Sequence, residues 1–425
     1  MKIRFKDFVV TDNTKEYDKD TLFLMTAQNK KFINESIKNI ITPKELIEKL
    51  KLNSIKIVGV TGTNGKTTTT AVIYSLLLDL GKNVALQGTR GFFINDKKIE
   101  DKSLTTPSIL KTISHLYEAK KEDCEYFIME VSSHAIDQNR IEDLDFSLKI
   151  HTNITHDHLD YHKNIKNYID TKNSFFSDES RKLINKDDEF VRFNYKNAYT
   201  YGLDNPSTFQ ILAYSLENGI SGVLRFANEI ADFHSCLIGL FNVYNLTAAI
   251  SAVKILEDKP LEEICALVEN FAGVSGRMEV LNYDPLIIVD FAHTPDGMKK
   301  VFESFPGKDL VTVFGAGGDR DKEKRAKMGE VASRFCKKIY ITSDNPRSEN
   351  TKDIIDEIYK GVVDKDRAFL IEDRKEAIKE AIKNLKKDEV LLILGKGDET
   401  YQEIKGKKIP FDDREVVREI LEIRH

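Results

Sequence analysis

Residues Gly62, Thr63, Asn64, Gly65, Lys66, Thr67 and Thr68 put two glycines, a lysine and adjacent hydroxyls into one short turn. That set can cradle phosphate. Backbone N–H groups of the turn point at anionic oxygens, the lysine adds a mobile positive charge, and a hydroxyl can face Mg²⁺. The apolar run Ile55 to Val60 reads as the strand that delivers the turn, and Lys66-Thr67 as the start of a helix. The strict phosphate-loop pattern has a glycine where this chain has Val60, but Gly59 and Gly62 flank that position. Strand, glycine turn and helix start all survive the mismatch. The expected ligand is a nucleoside triphosphate.

Two other clusters can do chemistry beside it. Glu130 falls in the apolar run Tyr126 to Val131, and an acid at the carboxyl end of a strand near a phosphate loop is placed to hold Mg²⁺. Asn153-Ile154-Thr155-His156-Asp157-His158-Leu159-Asp160 packs two histidines and two acids closely after another apolar run. That density points to a metal or phosphate role.

The elements that must position these groups alternate. Between the loop and residue 160, apolar runs end where polar clusters begin, with helical patterns between them. This predicts a mostly parallel sheet covered on both faces, with ligands beyond the carboxyl ends of its strands. Residues 1 to about 50 read as a small opening module, strand-like in FKDFVV and LFLMTA and helical in PKELIEKL. From about 208 to 238, alternating stretches around Glu217-Asn218-Gly219 predict antiparallel hairpins, and a helix is expected after Gly239 through NLTAAISAVKIL. After Gly276-Arg277, the runs LIIVD, LVTVFG, KKIYITS, RAFLIE and EVLLILG alternate with helical segments and predict a second doubly wound unit. The expected fold is α/β in three domains: residues 1–50, 51–275 and 276–425.

Composition narrows the class. At 425 residues the chain exceeds what one hydrophobic core usually supports. A net charge of −5 gives no global field for nucleic acid, and the lysines near 322–327 and 379–387 alternate with acids, as on solvated helix faces. Cys124, Cys236, Cys265 and Cys336 form no CxxC pair, which argues against zinc and against a disulfide framework. The opening MKIRFKDFVV has too short an apolar stretch for a secretory signal, and no run approaches the ~18 apolar residues of a membrane span. A cytoplasmic protein is expected, with no nucleic-acid partner and no stable membrane association.

Taken in order, GVTGTNGKTTTT, LTTPS, EVSSHAIDQNR, NITHDHLDYH, GLFNVYN, SGRME, VDFAHTPDGM, GGDRDKEKR, TSDNPR, GKGDETYQ and FDDREVV resemble the motifs of the Mur ligase family. Within it the chain is similar to the MurE type, which adds the third amino acid to UDP-N-acetylmuramoyl-dipeptide. The resemblance implies an ATP- and Mg²⁺-dependent carboxylate–amine ligase working through an acyl phosphate. It also implies a short N-terminal UDP-binding module, a central P-loop ATPase domain and a C-terminal Rossmann-like domain for the amino acid. By the same resemblance Lys66, Glu130, His158 and Lys172 are catalytic, and Thr67, Glu130, His158 and Lys172 serve the metal ions. Lys172 is expected to carry a CO₂-derived carbamate, which would reverse the repulsion that an ammonium of reference pKa about 10.4 exerts on Mg²⁺. Asn242 and Asn245 match the adenine side, although Asn245 would equally suit a helix cap. Arg277 and Asp290 match the ribose and phosphates, and Asn13, Thr105, Thr106, Ser132, Gln138 and Arg140 match contacts to the UDP-sugar peptide. A monomer is expected.

Asp344-Asn345-Pro346-Arg347 bears on the amino acid. In the resembling enzymes this tetrapeptide accompanies meso-diaminopimelate, whose distal carboxylate Arg347 can grip in a bidentate fork. Lysine would leave that guanidinium unpaired beside an ammonium. Arg320, Gly395 and Glu399 match further contacts, Glu399 being suited to the distal ammonium. The implied partners are UDP-N-acetylmuramoyl-L-Ala-D-Glu and meso-diaminopimelate, with L-lysine or another diamino acid as the alternative. A folate polyglutamylating enzyme is disfavoured by EVSSH, DHLDYH and DNPR. A nucleotide-dependent regulator without turnover would be expected to have lost Lys66, Glu130, His158 or Lys172. Two departures stand out: Asp12-Asn13-Thr14 replaces Asp-Ser-Arg in a short opening module, and Asp398 stands where histidine is common.

Overall fold

The computed structural model describes residues 1–101 and 104–422, which gather around three larger sheets and one small hairpin. Strands Lys2–Phe5, Phe8–Thr11, Thr21–Leu24 and Ile40–Ile41 form the first sheet. Helix Pro43–Lys49 follows, opened by a reciprocal cap in which the Thr42 and Glu45 side chains each accept from the other's backbone N–H. Ala27 N donates to Glu142 at 2.9 Å and Lys44 N to Asp143 at 3.2 Å, tying this module to the next.

The second sheet has eleven strands. Its strand Lys56–Thr61 lies between the parallel strands Tyr126–Glu130 and Phe146–His151. Buried on both faces, it is apolar almost throughout and does not alternate. Its Gly59 is required by packing, since a Cβ there would lie 2.5 Å from the Phe146 ring. Because the three strands run in one direction, their carboxyl ends deliver the glycine turn, Glu130 and the Asn153–Asp160 segment to one edge. Helices Lys66–Asp79 and Leu240–Leu256 pack together over this sheet and share its hydrophobic core. The expected hairpins appear as Phe209–Ser215, Ile220–Phe226 and Glu229–Ser235, paired antiparallel. Phe209–Ser215 also pairs in parallel with Ala198–Gly202, so the ribbon extends the same sheet.

The third sheet orders its strands Glu279–Tyr283, Leu286–Asp290, Glu389–Leu394, Asp309–Phe314, Cys336–Ile341 and Ala368–Leu370. Only the first pairing is antiparallel, and apolar clusters cover both faces. The α/β class expected from the alternating pattern is what these layers show. No helix among the described residues is long and apolar enough to cross a membrane.

Candidate active site

The glycine turn is folded hard against its neighbours. A Cβ on Gly62 would collide with Thr152 Oγ1, and one on Gly65 with Asn245 Oδ1. Gly65 takes φ +84°, a left-handed conformation that favours glycine, and opens helix Lys66–Asp79. Thr63 N donates to Asn153 O at 2.7 Å and Asn64 N to Asn153 Oδ1 at 3.0 Å, so the Asn153–Asp160 segment braces the turn. Lys66 Nζ bends back onto the carbonyls of Gly62 and Thr63, at 2.8 and 2.9 Å. Burial lowers its pKa, with Glu130 and Asp157 opposing.

Glu130 faces the first turn of that helix. Thr67 Oγ1 donates to Glu130 Oε2 at 3.0 Å, while Thr89 donates its backbone N–H at 2.8 Å and its hydroxyl at 3.1 Å. A hydroxyl and a carboxylate are hard oxygen donors of the kind Mg²⁺ takes. Among the described residues no three His, Cys, Asp or Glu side chains gather as a metal-binding set. Thr67 and Glu130 are the residues that would hold a magnesium ion here, where it would offset phosphate charge.

His158 sits in the left-handed region at φ +54°, its ring 3.3 Å from Asp157 Oδ2. Burial pushes its pKa down to about 4, assisted by Lys66, His134 and Lys172 and opposed by Asp157. The neutral imidazole that results keeps a lone pair for a cation. Lys172 is 1% exposed, and its Nζ donates to Gly62 O at 2.8 Å from behind the turn. Burial first, and then Lys66, hold its pKa well below the ordinary lysine value.

A cavity of about 340 Å³ opens over the turn, lined also by Thr105, Asn242, Asn245, Arg277 and Asp290. Asn245 Nδ2 donates to Asn242 Oδ1 at 2.8 Å, and the Arg277 guanidinium lies 4.3 Å from the Phe291 ring centroid. Asp290 accepts from Met278 N and Ala292 N at 2.8 and 2.7 Å. Burial raises its pKa, with Arg277 opposing. A second cavity of about 500 Å³ lies beside it, and Asp157, His158, Phe291, His293, Thr294 and Arg320 line both.

The second cavity ends on Asp344, Asn345, Arg347, Gly395 and Glu399. Asn345 Nδ2 donates to Glu399 Oε2 at 2.9 Å, and the buried Lys396 reaches the same Glu399 at 3.1 Å. Arg347 Nη1 donates to Gly318 O at 2.5 Å, while Pro346 shapes the loop, its carbonyl lying where a Cβ on Gly318 would be. Beneath the loop, Arg374 and Asp413 form a fully buried bidentate pair at 2.7 and 2.8 Å. Arg374 also donates to Ser343 O and Leu394 O, the residues just before Asp344 and Gly395.

A triphosphate loop that opens into a chamber lined by arginines and acids narrows the possible families, and the comparisons decide between them. Residues 60–253 match the Mur ligase middle domain, and residues 276–397 match the Mur ligase, glutamate ligase domain. The chain belongs to the Mur ligase family. It is 53% identical over 420 residues to a Wolinella succinogenes protein named UDP-N-acetylmuramoyl-L-alanyl-D-glutamate--2,6-diaminopimelate ligase, covering 98% of this chain and 96% of that one. A Cytophaga hutchinsonii protein of the same name is 40% identical over 391 residues, covering 87% of this chain and 78% of that one. A solved diaminopimelate ligase aligns with TM-score 0.68 at 28% identity, over 98% of this chain and 95% of that chain.

Within this Mur ligase, Thr63 to Thr68, Glu130, His158, Asn242, Asn245, Arg277 and Asp290 meet at the first cavity, and Asp344, Asn345, Arg347, Gly395 and Glu399 at the second. Lys172 lies behind the turn and lines neither. Thr106, Ser132, Gln138 and Arg140 form one network beside Glu130. Thr106 Oγ1 donates to Glu130 O at 2.9 Å, and Arg140 donates to Thr106 O at 3.0 Å and to Gln138 Oε1 at 2.6 Å. Asn13 stands apart: its side chain accepts from Lys15 N at 3.0 Å and caps a short turn. Sequence reasoning passed over Thr89, Asp296, Arg374 and Glu403. FDDREVV held Asp413 without a role, and only its burial with Arg374 reveals one.

Proposed function

We propose that this Mur ligase joins meso-diaminopimelate to UDP-N-acetylmuramoyl-L-alanyl-D-glutamate at the expense of ATP, in peptidoglycan precursor synthesis. The reaction makes an ATP-dependent peptide bond. The free carboxylate of the dipeptide attacks the γ-phosphorus of ATP, forming a C–O–P linkage as ADP departs. The incoming amine then attacks the acyl carbon, phosphate leaves with the C–O electron pair, and the ammonium loses its extra proton to solvent or a nearby base. The observation that carries this reading is that the two cavities adjoin, with His158, His293 and Arg320 lining both. This supports reading the glycine turn as the triphosphate site and Arg347, in the adjoining cavity, as the arginine that takes a carboxylate.

The residues divide the work by charge. Lys66 and the N–H groups of the turn hold phosphate oxygens, and Thr67 with Glu130 would hold Mg²⁺, which offsets repulsion between the anions. His158 serves a second cation. Asn242 and Asn245 face adenine, and Arg277 and Asp290 the ribose and phosphates. Thr105, Thr106, Ser132, Gln138 and Arg140 contact the UDP-sugar peptide. Arg347 takes the distal carboxylate of diaminopimelate, with Arg320, Asp344, Asn345, Gly395 and Glu399 around the rest of the amino acid. Lys172 is read as a carbamate; burial holds its pKa well below the ordinary lysine value, which favours the unprotonated amine that adds to CO₂. The domains are taken as 1–50 for UDP, 51–275 for ATP and 276–425 for the amino acid, in a cytoplasmic monomer.

The test is phosphate release from ATP, Mg²⁺ and UDP-N-acetylmuramoyl-L-Ala-D-Glu, with meso-diaminopimelate, L-lysine or no amino acid, and product mass measured in parallel. Release and the matching mass with diaminopimelate alone are expected. Turnover with lysine in its place would overturn the amino-acid assignment, and no turnover in any tube would overturn the reaction.

A further inference from the structure

Arg347 does not hold its position through its own loop. Its backbone N–H donates to Glu403 O at 2.9 Å, and its carbonyl accepts from Lys405 N at 2.7 Å. The loop is thus laid against strand Tyr401–Ile404 of the hairpin that returns through Lys407–Pro410. Glu403 N donates to Asn345 Oδ1 at 2.8 Å, and Gln402 Nε2 to Asp344 O at 3.0 Å, so the hairpin grips three residues of the DNPR loop. Arg347 itself has φ +52°, a left-handed conformation unusual for an arginine, which this backbone pairing sustains.

The side chain is held from the same place. Arg347 Nε lies 3.3 Å from Glu403 Oε2, and Nη1 donates to Gly318 O. A guanidinium has five N–H groups in a fixed plane. With Nε in ion-pair contact with Glu403 and one Nη1 hydrogen on Gly318, the Nη1–Nη2 edge is the one a planar carboxylate could engage in two parallel bonds. Arg347 lines the 500 Å³ cavity, while Glu403 is not among its lining residues.

We propose that Glu403 is a specificity-positioning residue: it acts through Arg347, fixing which edge of the guanidinium meets the distal carboxylate of the amino-acid substrate. This rests on the function proposed above. Arg347 alone would be a flexible cation able to meet many anions from many angles. Held by Glu403 at Nε and by Gly318 at one Nη1 hydrogen, it becomes a fork directed through its Nη1–Nη2 edge.

The test uses the full-length enzyme with meso-diaminopimelate, ATP and the UDP-sugar dipeptide. Wild-type product formation comes first; its absence would sink the function and leave the clamp unaddressed by kinetics, so binding of diaminopimelate by calorimetry is measured on the same samples. Glu403→Ala is expected to raise KM, or Kd, for diaminopimelate about five-fold, the upper scale of a partly exposed ion pair. KM for ATP and kcat should stay within about two-fold. Glu403→Gln, which keeps an acceptor for Nε, should recover most of the loss. In an Arg347→Ala background, Glu403→Ala should add nothing, because the two act as a unit. Unchanged diaminopimelate affinity in Glu403→Ala, or an equal loss with and without Arg347, would overturn the proposal. Thermal melting checks that the half-exposed position leaves folding intact.

Discussion

Asn64 and Asp296 are 232 residues apart in the chain, yet the Asn64 side-chain amide donates to Asp296 Oδ2 at 3.2 Å. Thr155 Oγ1 donates to the same oxygen at 2.9 Å, and Lys300 Nζ lies 3.1 Å from it. One carboxylate oxygen on helix Pro295–Glu303 therefore touches both the phosphate turn and the segment that carries His158. Asp296 also lines the larger cavity, so the contact joins the nucleotide end of the chamber to the amino-acid end.

Removing that carboxylate should loosen the contact between the phosphate turn, the His158 segment and helix Pro295–Glu303. Asp296→Ala is expected to lower kcat/KM for the amino acid roughly ten-fold, the cost of about one or two hydrogen bonds. Small-angle scattering with an ATP analogue and the UDP-sugar peptide should show less compaction than in wild type. An identical radius of gyration and identical kinetics would mean that Asp296 plays no part in closure.

Lys172 gives a sharper chemical prediction. Lys172→Ala should lose activity by roughly 100-fold or more, the scale of a lost metal-site charge. Added formate or acetate should restore part of it by supplying a carboxylate. Intact mass spectrometry under bicarbonate should find one added CO₂ in wild type and none in the variant. Full turnover in Lys172→Ala would remove the carbamate from the scheme.

Acid should weaken the fold through its buried histidines. His151 has no exposed surface and no hydrogen-bond partner on either ring nitrogen, and burial, then Lys172, push its pKa from 6.5 to about 3. His115 stacks on Phe92 and is pushed by burial, then Lys111, to about 4. Between about pH 6.5 and these values the unfolded chain binds protons that the folded chain does not. Stability is therefore complete above pH 6.5 and lost as pH falls towards 4, by roughly 2 kcal/mol per histidine at pH 5. The urea midpoint should drop between pH 7 and pH 5, and drop less in His151→Phe. Equal midpoints at the two pH values would refute this.

Much of the site was legible because its chemistry is written in contiguous residues. The strand, the turn and Lys66-Thr67 are neighbours in sequence, so steric and hydrogen-bonding rules acting over a few residues suffice to recognise a phosphate cradle. DNPR and NITHDHLD are likewise short enough to read. Asn13 was drawn in by motif order, and the fold spends its side chain on a local cap away from both cavities.

The sequence alone determined the α/β class, the nucleotide loop and the kinship, because periodicity and local motifs need no knowledge of what packs against them. It could not determine that strand Glu389–Leu394 inserts between Leu286–Asp290 and Asp309–Phe314. That insertion brings the GKGDE loop to the DNPR loop and lets Arg374 tie the bases of both to Asp413. All the candidate strands are apolar and could pair in many orders. Burying both faces of one sheet together chooses among them, and contacts such as Asn64–Asp296 and Arg347–Glu403 exist only once that choice is made.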